Sequence, residues 1–261
     1  MRLDRLFVGI ALTAAPGLRR VGTPVLGGSV SSCAAWLEDV YGKIDYEKIL
    51  FSDDACEDEQ HEEEFGGDSF IYGESDLGFF LTTVRMALDM TESATNTHGF
   101  VDLGGGKGQL ALAAARVEPE RLPGPCVSLE LMPELHRMAA AAYDVACTEN
   151  PRTFGRLVAV QGSFYDAATL SDACNEAAVI FAYATKFESD DGVHIKRLSA
   201  ALAACDALRS DAVIITVNRR LRASDGWAEV ASAIEGEAPH EDSGRGTAYF
   251  WRRATAADDE A

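Results

Sequence analysis

Three glycines and one acid stand at a spacing suited to holding a nucleotide. They are Asp102, Gly104, Gly106 and Gly108, in the pattern Asp-x-Gly-x-Gly-x-Gly. Glycine has no Cβ atom, so the backbone can turn sharply there and lie directly against a ligand. The mostly apolar run 100–103 directly precedes Gly104, the first of these glycines, and Gln109 opens an alanine-rich helical segment. The pattern therefore predicts a strand, a turn that binds a nucleoside-containing cofactor, and a helix.

Two classes of cofactor use glycine turns of this kind. A dinucleotide turn needs Gly-x-Gly-x-x-Gly or Ala, which only Gly106, Gly108 and Ala111 satisfy, and that register would end the strand too early. The register that begins at Gly104, with Asp102 two residues before it, is typical of class I S-adenosylmethionine (SAM) methyltransferases. SAM is therefore the predicted cofactor. A nicotinamide dinucleotide and a plain turn without ligand remain the alternatives.

An acid and two strand ends downstream would complete the cofactor site. Glu130 ends the short apolar run Cys126–Glu130, 22 residues after Gly108, and is placed to accept hydrogen bonds from the two ribose hydroxyls. The alternative for Glu130 is a solvated acid at a helix N-terminus. The next strand and turn, 157–164, should flank the adenine, and Ser163 or Asp166 could bind its amino group.

The order of the remaining segments predicts the fold class. The fully apolar runs 178–183 and 212–217 are typical of buried parallel strands. Helical patterns cover 36–51, 75–90, 133–145 and 193–208. At the C-terminus 227–234 and 247–252 form a strand pair with no helix predicted between them. The sequence thus predicts an α/β fold: a Rossmann-like, seven-strand, mostly parallel sheet with helices on both faces and a C-terminal antiparallel strand pair.

Three motifs over about residues 68–220 resemble one branch of this class, the non-SET histone-lysine methyltransferases named for disruption of telomeric silencing. Ile71-Tyr72-Gly73-Glu74-Ser75 is similar to the family's Tyr-Gly-Glu loop. About 28 residues later, Val101-Asp102-Leu103-Gly104 with Gly108-Gln109 is similar to its Val-Asp-Leu-Gly-x-Gly-x-Gly-Gln. Val179-Ile180-Phe181, followed six residues later by Phe187, is similar to the strand that ends in its substrate channel.

The resemblance implies roles for residues that spacing alone does not assign. Tyr72 and Glu74 would fold over the methionine end of SAM, Gln109 would belong to the cofactor turn, and Phe164 would lie beside the adenine. Tyr183 and Phe187 would line the catalytic channel, with Tyr249 as a further candidate wall, and all three rings also suit a core. The implied activity is transfer of a methyl group to a protein lysine. A small-molecule methyltransferase and a SAM-binding module without catalysis are the alternatives.

Two departures from the family pattern bear on these roles. Where the family has Asn-Asn-Phe after the fourth strand, this chain has Tyr183-Ala184-Thr185. The change removes amides that help to shape the channel. The family's Gly-Asp-Phe is Gly162-Ser163-Phe164 here, so a carboxylate contact to the adenine is replaced by a hydroxyl.

The charge of the chain restricts its partners. The 42 acids against 23 Lys and Arg give a net charge of −19, and a protein with that field is repelled by phosphate backbones. Nucleic acid is therefore disfavoured as a partner, and a basic protein or a small molecule is the expected acceptor. Residues 53–64 hold eight acids in twelve positions. They are a solvated loop or an arm that steers a basic substrate to the site.

Composition divides the chain into four segments: 1–35, 36–67, 68–254 and 255–261. The first holds four arginines and one acid. It is a targeting or signal segment, or an N-terminal extension packed on the domain, and its apolar stretch of about ten residues is too short to span a membrane. The second is a helical segment with the acidic loop, the third the methyltransferase domain, and the fourth an acidic tail. Six cysteines without metal-site spacing indicate a reducing intracellular compartment and no metal.

Overall fold

A computed structural model describes residues 11–13, 29–45, 76–91, 98–189, 191–234 and 246–254. They form one eight-stranded sheet with helices packed on both faces. The strands are β1 (Ala11–Thr13), β2 (Gly99–Leu103), β3 (Cys126–Glu130), β4 (Leu157–Gln161), β5 (Ala177–Ala182), β6 (Val213–Val217), β7 (Trp227–Ile234) and β8 (Thr247–Arg253). The helices are α1 (Ser29–Gly42), α2 (Leu77–Met90), α3 (Gln109–Val117), α4 (Pro133–Glu149), α5 (Pro151–Phe154), α6 (Ala167–Cys174) and α7 (Lys196–Ala203). Short 3-10 turns cover Ala184–Lys186 and Ala223–Asp225.

The strand order is β1-β7-β8-β6-β5-β2-β3-β4. Strands β2 to β6 are mutually parallel where they pair, and β8 runs antiparallel to both β6 and β7. The predicted fold class is confirmed: seven strands, mostly parallel, with a C-terminal antiparallel pair. A dinucleotide fold would continue in parallel after β6, so the strand directions argue against the nicotinamide alternative.

An eighth strand comes from the N-terminal segment. β1 pairs antiparallel with β7 at the end of the sheet, where Ala11 lies opposite Ile234. Residues 11–13 and the start of α1 both fall inside the segment predicted as a targeting sequence or packed extension. These parts of it belong to the folded domain.

The central strands are buried on both faces. Every residue of β2, β3, β5 and β6 is buried, as the apolar runs 178–183 and 212–217 predict for β5 and β6. Successive side chains point to opposite faces, so Phe181 packs in the core beneath α2 and α3, and Ile180 packs in the core beneath α6 and α7. On the first side, Phe80 of α2 meets Phe100 and Phe181 edge to face, with ring centroids 5.8 and 5.0 Å away.

Several helix boundaries differ from the sequence prediction for local reasons. Helix α2 begins at Leu77 because the Asp76 side chain accepts a hydrogen bond from the Phe79 N–H. Helix α7 begins at Lys196, three residues later than predicted, because Asp191 holds the N–H groups of Val193 and His194 at 2.9 and 2.7 Å in a loop.

Helix α1 spans Ser29–Gly42 where the periodicity predicted 36–51, and residues 46–51 lie outside the described part of the chain. Its Cys33, Leu37 and Val40 are at most 2% exposed in the core. None of the helices in the described ranges is long and apolar enough to cross a membrane.

The topology sets the place of the site. In the sheet, β2 lies between β3 and β5. The chain adds β3 and β4 on one side of β2 and then crosses to add β5 on the other side, so the strand order reverses at β2. Ligands of open α/β sheets bind at such a reversal, in the crevice beyond the carboxyl ends of the strands. The glycine turn follows β2 directly and opens onto that crevice.

Candidate cofactor and acceptor site

The glycine turn leaves β2 with three of its glycines in the left-handed backbone conformation. Gly104, Gly106 and Gly108 have φ values of +76°, +55° and +82°. The N–H groups of Gly104 and Gly105 both donate to the Leu129 carbonyl, at 2.9 and 3.1 Å, which fixes the turn against the end of β3. Gly104 is exposed, and a Cβ atom there would meet only the Phe187 and Phe164 rings. Its backbone is therefore the surface that the turn offers to a ligand.

Gly105, which the glycine pattern does not include, is needed for packing. A Cβ atom at this position would lie 2.1 Å from the Ser128 Oγ and 3.2 Å from the Asp102 Oδ2. Ser128 is the register partner of Asp102 across β2 and β3. The turn can close over these two side chains only because residue 105 has none.

Glu130 ties the glycine turn to the end of β3. Its Oε2 accepts a hydrogen bond from the Gly106 N–H at 2.8 Å, and its Oε1 accepts one from the Met132 N–H at 2.9 Å. The residue is 7% exposed. Burial raises the pKa of Glu130, and its bonds to the Met132 and Gly106 amides oppose that rise. A carboxylate has about four lone-pair sites, so at least one remains for a further donor such as a ribose hydroxyl.

The Asp102 carboxyl is buried in β2, and one of its two oxygens has no hydrogen bond to offset that burial. The residue is 2% exposed, and its Oδ2 has no hydrogen-bond partner. Burial, and then the nearby charge of Glu130, raise the pKa of Asp102 to about 8. A positively charged ligand group beside these two acids would favour the ionised form of Asp102.

Two tyrosines that the sequence did not single out hold carbonyl groups of the turn. Tyr143 of α4 donates its hydroxyl to the Gly108 carbonyl at 3.1 Å. Tyr41 of α1 donates its hydroxyl to the Lys107 carbonyl at 2.8 Å. Both lie in helices whose periodicity signals only packing, so no sequence pattern marks them. Burial raises the pKa of Tyr143 well above its usual value.

Phe164 and Phe187 come together over the glycine turn. Their rings stack with centroids 5.2 Å apart and planes 28° from parallel. A Cβ atom on Gly104 would lie 3.4 Å from Phe187 and 3.9 Å from Phe164. The ring predicted for the adenine side and the ring predicted for the acceptor channel therefore share one wall beside Gly104.

The polar candidates on the adenine side are engaged locally. The Ser163 Oγ accepts a hydrogen bond from the Tyr165 N–H at 3.1 Å. Asp166 caps α6 by accepting from the Thr169 N–H at 2.8 Å. Gln109 is the first residue of α3 and is half-buried.

The candidate channel walls are divided between the two sides of the sheet. Tyr183 packs against the core beneath α2 and α3, whereas Phe187 and Tyr249 pack against the core beneath α6 and α7. The Arg220 guanidinium lies over the Tyr249 ring, 4.4 Å from its centroid. Tyr72 and Glu74 lie outside the described residues.

This arrangement suits a ligand with a vicinal diol and positive charge. Glu130 has free lone pairs for hydroxyl groups, Asp102 is a buried carboxyl with an unpartnered oxygen, and Gly104 leaves open backbone between them. SAM carries a ribose diol, an amino group and a sulfonium. Across the described residues, no group of three or more His, Cys, Asp or Glu side chains could hold a metal ion.

Comparison with known proteins identifies the family of the chain. Residues 58–224 match the family described as "Histone methylation protein DOT1". No curated protein matches the chain.

Solved structures that resemble the chain include the rRNA methyltransferase aviRa from Streptomyces viridochromogenes, at 14% identity and a TM-score of 0.48, with 83% of this chain and 94% of that one covered. They also include the B. subtilis tRNA methyltransferase TrmK, at 14% identity and a TM-score of 0.42, with 67% of each chain covered. A third is the mitomycin 7-O-methyltransferase MmcR, at 14% identity and a TM-score of 0.41, with 87% of this chain and 69% of that one covered.

The family match spans more than half of the 261 residues and includes the glycine turn, Glu130 and the segment after β5. It begins before the Tyr72 motif and ends just after β6. The chain therefore belongs to the DOT1 histone methylation family and is a SAM-dependent methyltransferase.

Proposed function

We propose that the protein methylates the side-chain amine of a lysine in a basic protein. The observation that carries this proposal is the match of residues 58–224 to a family of histone methylation proteins. The net charge of −19 supports it, because an acidic enzyme attracts lysine-rich partners over distances of about 10 Å at moderate salt.

We propose that the cofactor binds to the glycine turn and to the two acids beside it, Glu130 and Asp102. The backbone of Gly104, Gly106 and Gly108 lies against the nucleoside, and Glu130 accepts hydrogen bonds from the ribose hydroxyls. Asp102 faces positive charge at the methionine end. The unpartnered Oδ2 and the raised pKa of Asp102 support that role, since a cation nearby would relieve the burial of its charge.

The remaining cofactor contacts are proposed on the resemblance and on position. Tyr72 and Glu74 cover the methionine end, and Gln109 stabilises the start of α3 beside the turn. Ser163 and Phe164 lie on the adenine side, where the Phe164 ring already stacks on Phe187. Bound SAM supplies a methyl group that its sulfonium has already activated.

On the acceptor side the protein has to orient an amine and exclude water. Tyr183 and Phe187 border the 3-10 turn Ala184–Lys186 beyond the end of β5. Tyr183 packs towards one side of the sheet and Phe187 towards the other, so they would form apolar walls on opposite sides of this turn. An apolar environment lowers the pKa of a lysine ammonium, so the amine that enters loses its proton to solvent before transfer. No described carboxylate or histidine is assigned as a general base.

Transfer of a labelled methyl group tests the proposal. The full chain is incubated with methyl-tritiated SAM and purified core histones, and the acid hydrolysate is analysed for methyl-lysine. We expect label in methyl-lysine with wild-type protein and with the surface variant Glu120→Ala, and none with Glu130→Ala. Label that appears only in small amines, or in no acceptor while SAM binds tightly, would contradict lysine transfer.

A further inference from the structure

Asn218 stands in an unusual backbone conformation directly after β6. Its φ is +64°, and it is the only residue other than glycine with positive φ in the described part of the chain. A side chain is strained in this region, and asparagine tolerates it better than most residues. Strained positions persist when their surroundings hold them in place, so the contacts of Asn218 are informative.

Three hydrogen bonds hold Asn218 between two elements. Its N–H donates to the Thr247 carbonyl at 2.7 Å, and its Oδ1 accepts from the Thr247 N–H at 2.9 Å. Its Nδ2 donates to the Thr185 Oγ1 at 2.9 Å. The backbone donor at Thr247 fixes which side of the amide carries oxygen, so the amino side is the one that faces Thr185.

The turn after β6, which carries Asn218, is held by hydrogen bonds of Thr216. Thr216, two residues earlier, is fully buried and donates its hydroxyl to the Arg219 carbonyl at 2.6 Å. The same oxygen accepts a hydrogen bond from the Trp251 Nε1 at 2.9 Å. The side chain of Trp251 in β8 therefore stabilises the turn after β6 through Thr216. This contact holds the backbone that carries the Asn218 amide in place.

Thr185 lies in the middle of the segment that borders the acceptor side. It belongs to the 3-10 turn Ala184–Lys186, with Tyr183 before it and Phe187 after it. The Phe187 N–H donates to the Ala184 carbonyl, so the turn carries the Phe187 ring to its place beside Gly104. A shift of this turn would move both proposed aromatic walls.

We infer that Asn218 is a positioning residue for the acceptor side: its amide, supplied from the end of β6, pins Thr185 and so fixes the segment Tyr183–Phe187. The segment Tyr183–Phe187 contains no asparagine or glutamine, so it has no amide side chain of its own. The amide that binds this segment comes from Asn218, directly after the neighbouring strand β6. The consequence for the acceptor rests on the proposed function, whereas the tie itself does not.

Hydrogen exchange of the full chain tests the tie. Asn218→Gly keeps the left-handed backbone without strain and removes the amide. Thr185→Val removes only the hydroxyl, and Thr185→Ser keeps it and serves as the matched control. We expect the first two variants to raise amide exchange in a peptide covering 183–189 at least threefold, with the serine variant unchanged. The double variant Asn218→Gly with Thr185→Val should exchange no faster than either single variant.

Two further readouts separate positioning from general damage. Thermal unfolding should show all variants folded, and calorimetric titration should give SAM affinities within threefold of wild type. With core histones as acceptor, Asn218→Gly should raise the acceptor KM or lower kcat at least threefold without changing the KM for SAM.

Unchanged exchange at 183–189 in both Asn218→Gly and Thr185→Val would overturn the inference, and so would raised exchange with unaltered transfer. If wild-type protein methylates no acceptor, the proposed function fails. The exchange experiment still decides whether Asn218 pins the segment.

Discussion

Asp102 couples the stability of the ligand-free protein to pH. Its pKa is about 8 in the folded state, against 3.8 for an unperturbed group. Between those values the folded state binds a proton that the unfolded state has lost, so the contribution of Asp102 to stability falls as pH rises from about 4 to about 8. Asparagine resembles the protonated acid and does not titrate.

We therefore predict that Asp102→Asn is more stable than wild type above pH 8, by at least about 1 kcal/mol, and that the difference vanishes near pH 4. Urea denaturation of both proteins at pH 4.5 and 8.5, without SAM, measures it. A difference that stays constant with pH would mean that Asp102 ionises at its usual pKa.

The contact between Gly105 and Ser128 predicts a steric conflict with a rescue. Gly105→Ala places a Cβ atom 2.1 Å from the Ser128 Oγ, which forces the turn away from β3. We expect a loss of about 1–3 kcal/mol in stability and weaker SAM binding. Gly42→Ala, where a Cβ atom meets nothing within 4 Å, is the matched control.

The double variant Gly105→Ala with Ser128→Ala should recover part of both losses, because the nearest atom is then removed. Equal defects in the single and double variants would show that the clash is not the cause. Chemical denaturation and calorimetric titration with SAM report the two quantities separately.

At the residue scale, spacing predicts candidate cofactor contacts at the strand ends, whereas the packing contacts behind the glycine turn have no sequence pattern. Asp102, Gly104 and Glu130 follow from the glycine pattern and from the distance to the next strand end. The roles of Gly105 and Ser128 depend on the register that sets Asp102 opposite Ser128, which only the folded sheet defines. The Asn218 contact likewise joins residues 33 positions apart, which lie beyond the ends of the neighbouring strands β6 and β5.

Helix α1 contacts the glycine turn although it lies outside the matched range 58–224. Its Tyr41 hydroxyl supports the Lys107 carbonyl, and its buried face packs on α2 and α3. The glycine turn is thus held by an element that the family match does not cover.

Two substitutions in α1 should separate support of the turn from support of the fold. Tyr41→Phe removes one hydrogen bond and keeps the ring, so we expect SAM affinity to fall by up to about tenfold with little loss of stability. Leu37→Ala should lower stability by about 2–5 kcal/mol and leave the affinity of the folded protein unchanged. Titration calorimetry and urea melts distinguish them. Unchanged affinity in Tyr41→Phe would remove Tyr41 from the site.

Elements were predicted best where the core dictates them. Strand β3 and strand β7 have the bounds that their sequences predict, because continuous apolar or alternating runs fill a fixed sheet position. Helix ends were predicted less well. The start of α7 depends on the Asp191 side chain, and β1 is three residues long with no pattern of its own.

The net charge of −19 gives the whole molecule a negative field that attracts basic partners. If the acceptor is a lysine-rich protein, its KM should rise as salt increases from about 50 to 500 mM, because screening shortens the reach of the field from roughly 15 Å to 5 Å. The KM for SAM, for which we propose contacts to buried side chains, should change far less. Steady-state methyl transfer at several salt concentrations measures both. An acceptor KM that ignores salt would point to a small uncharged acceptor.

The overall architecture was predictable because each level of the sequence agrees with it. Buried parallel strands, the glycine turn after the first of them and the late antiparallel pair each fit the same sheet. Composition did not predict that parts of the N-terminal segment belong to the domain. Strand β1 and helix α1 join it through long-range contacts.

Calorimetric titration of the full chain with SAM and S-adenosylhomocysteine, with NAD as the control, tests the central claim most directly. Truncation before residue 36 has to be avoided, since it would cut through α1. We predict micromolar binding of the first two ligands, no binding of NAD, and loss of both affinities in Glu130→Ala. A folded protein that binds neither SAM nor S-adenosylhomocysteine would contradict the account.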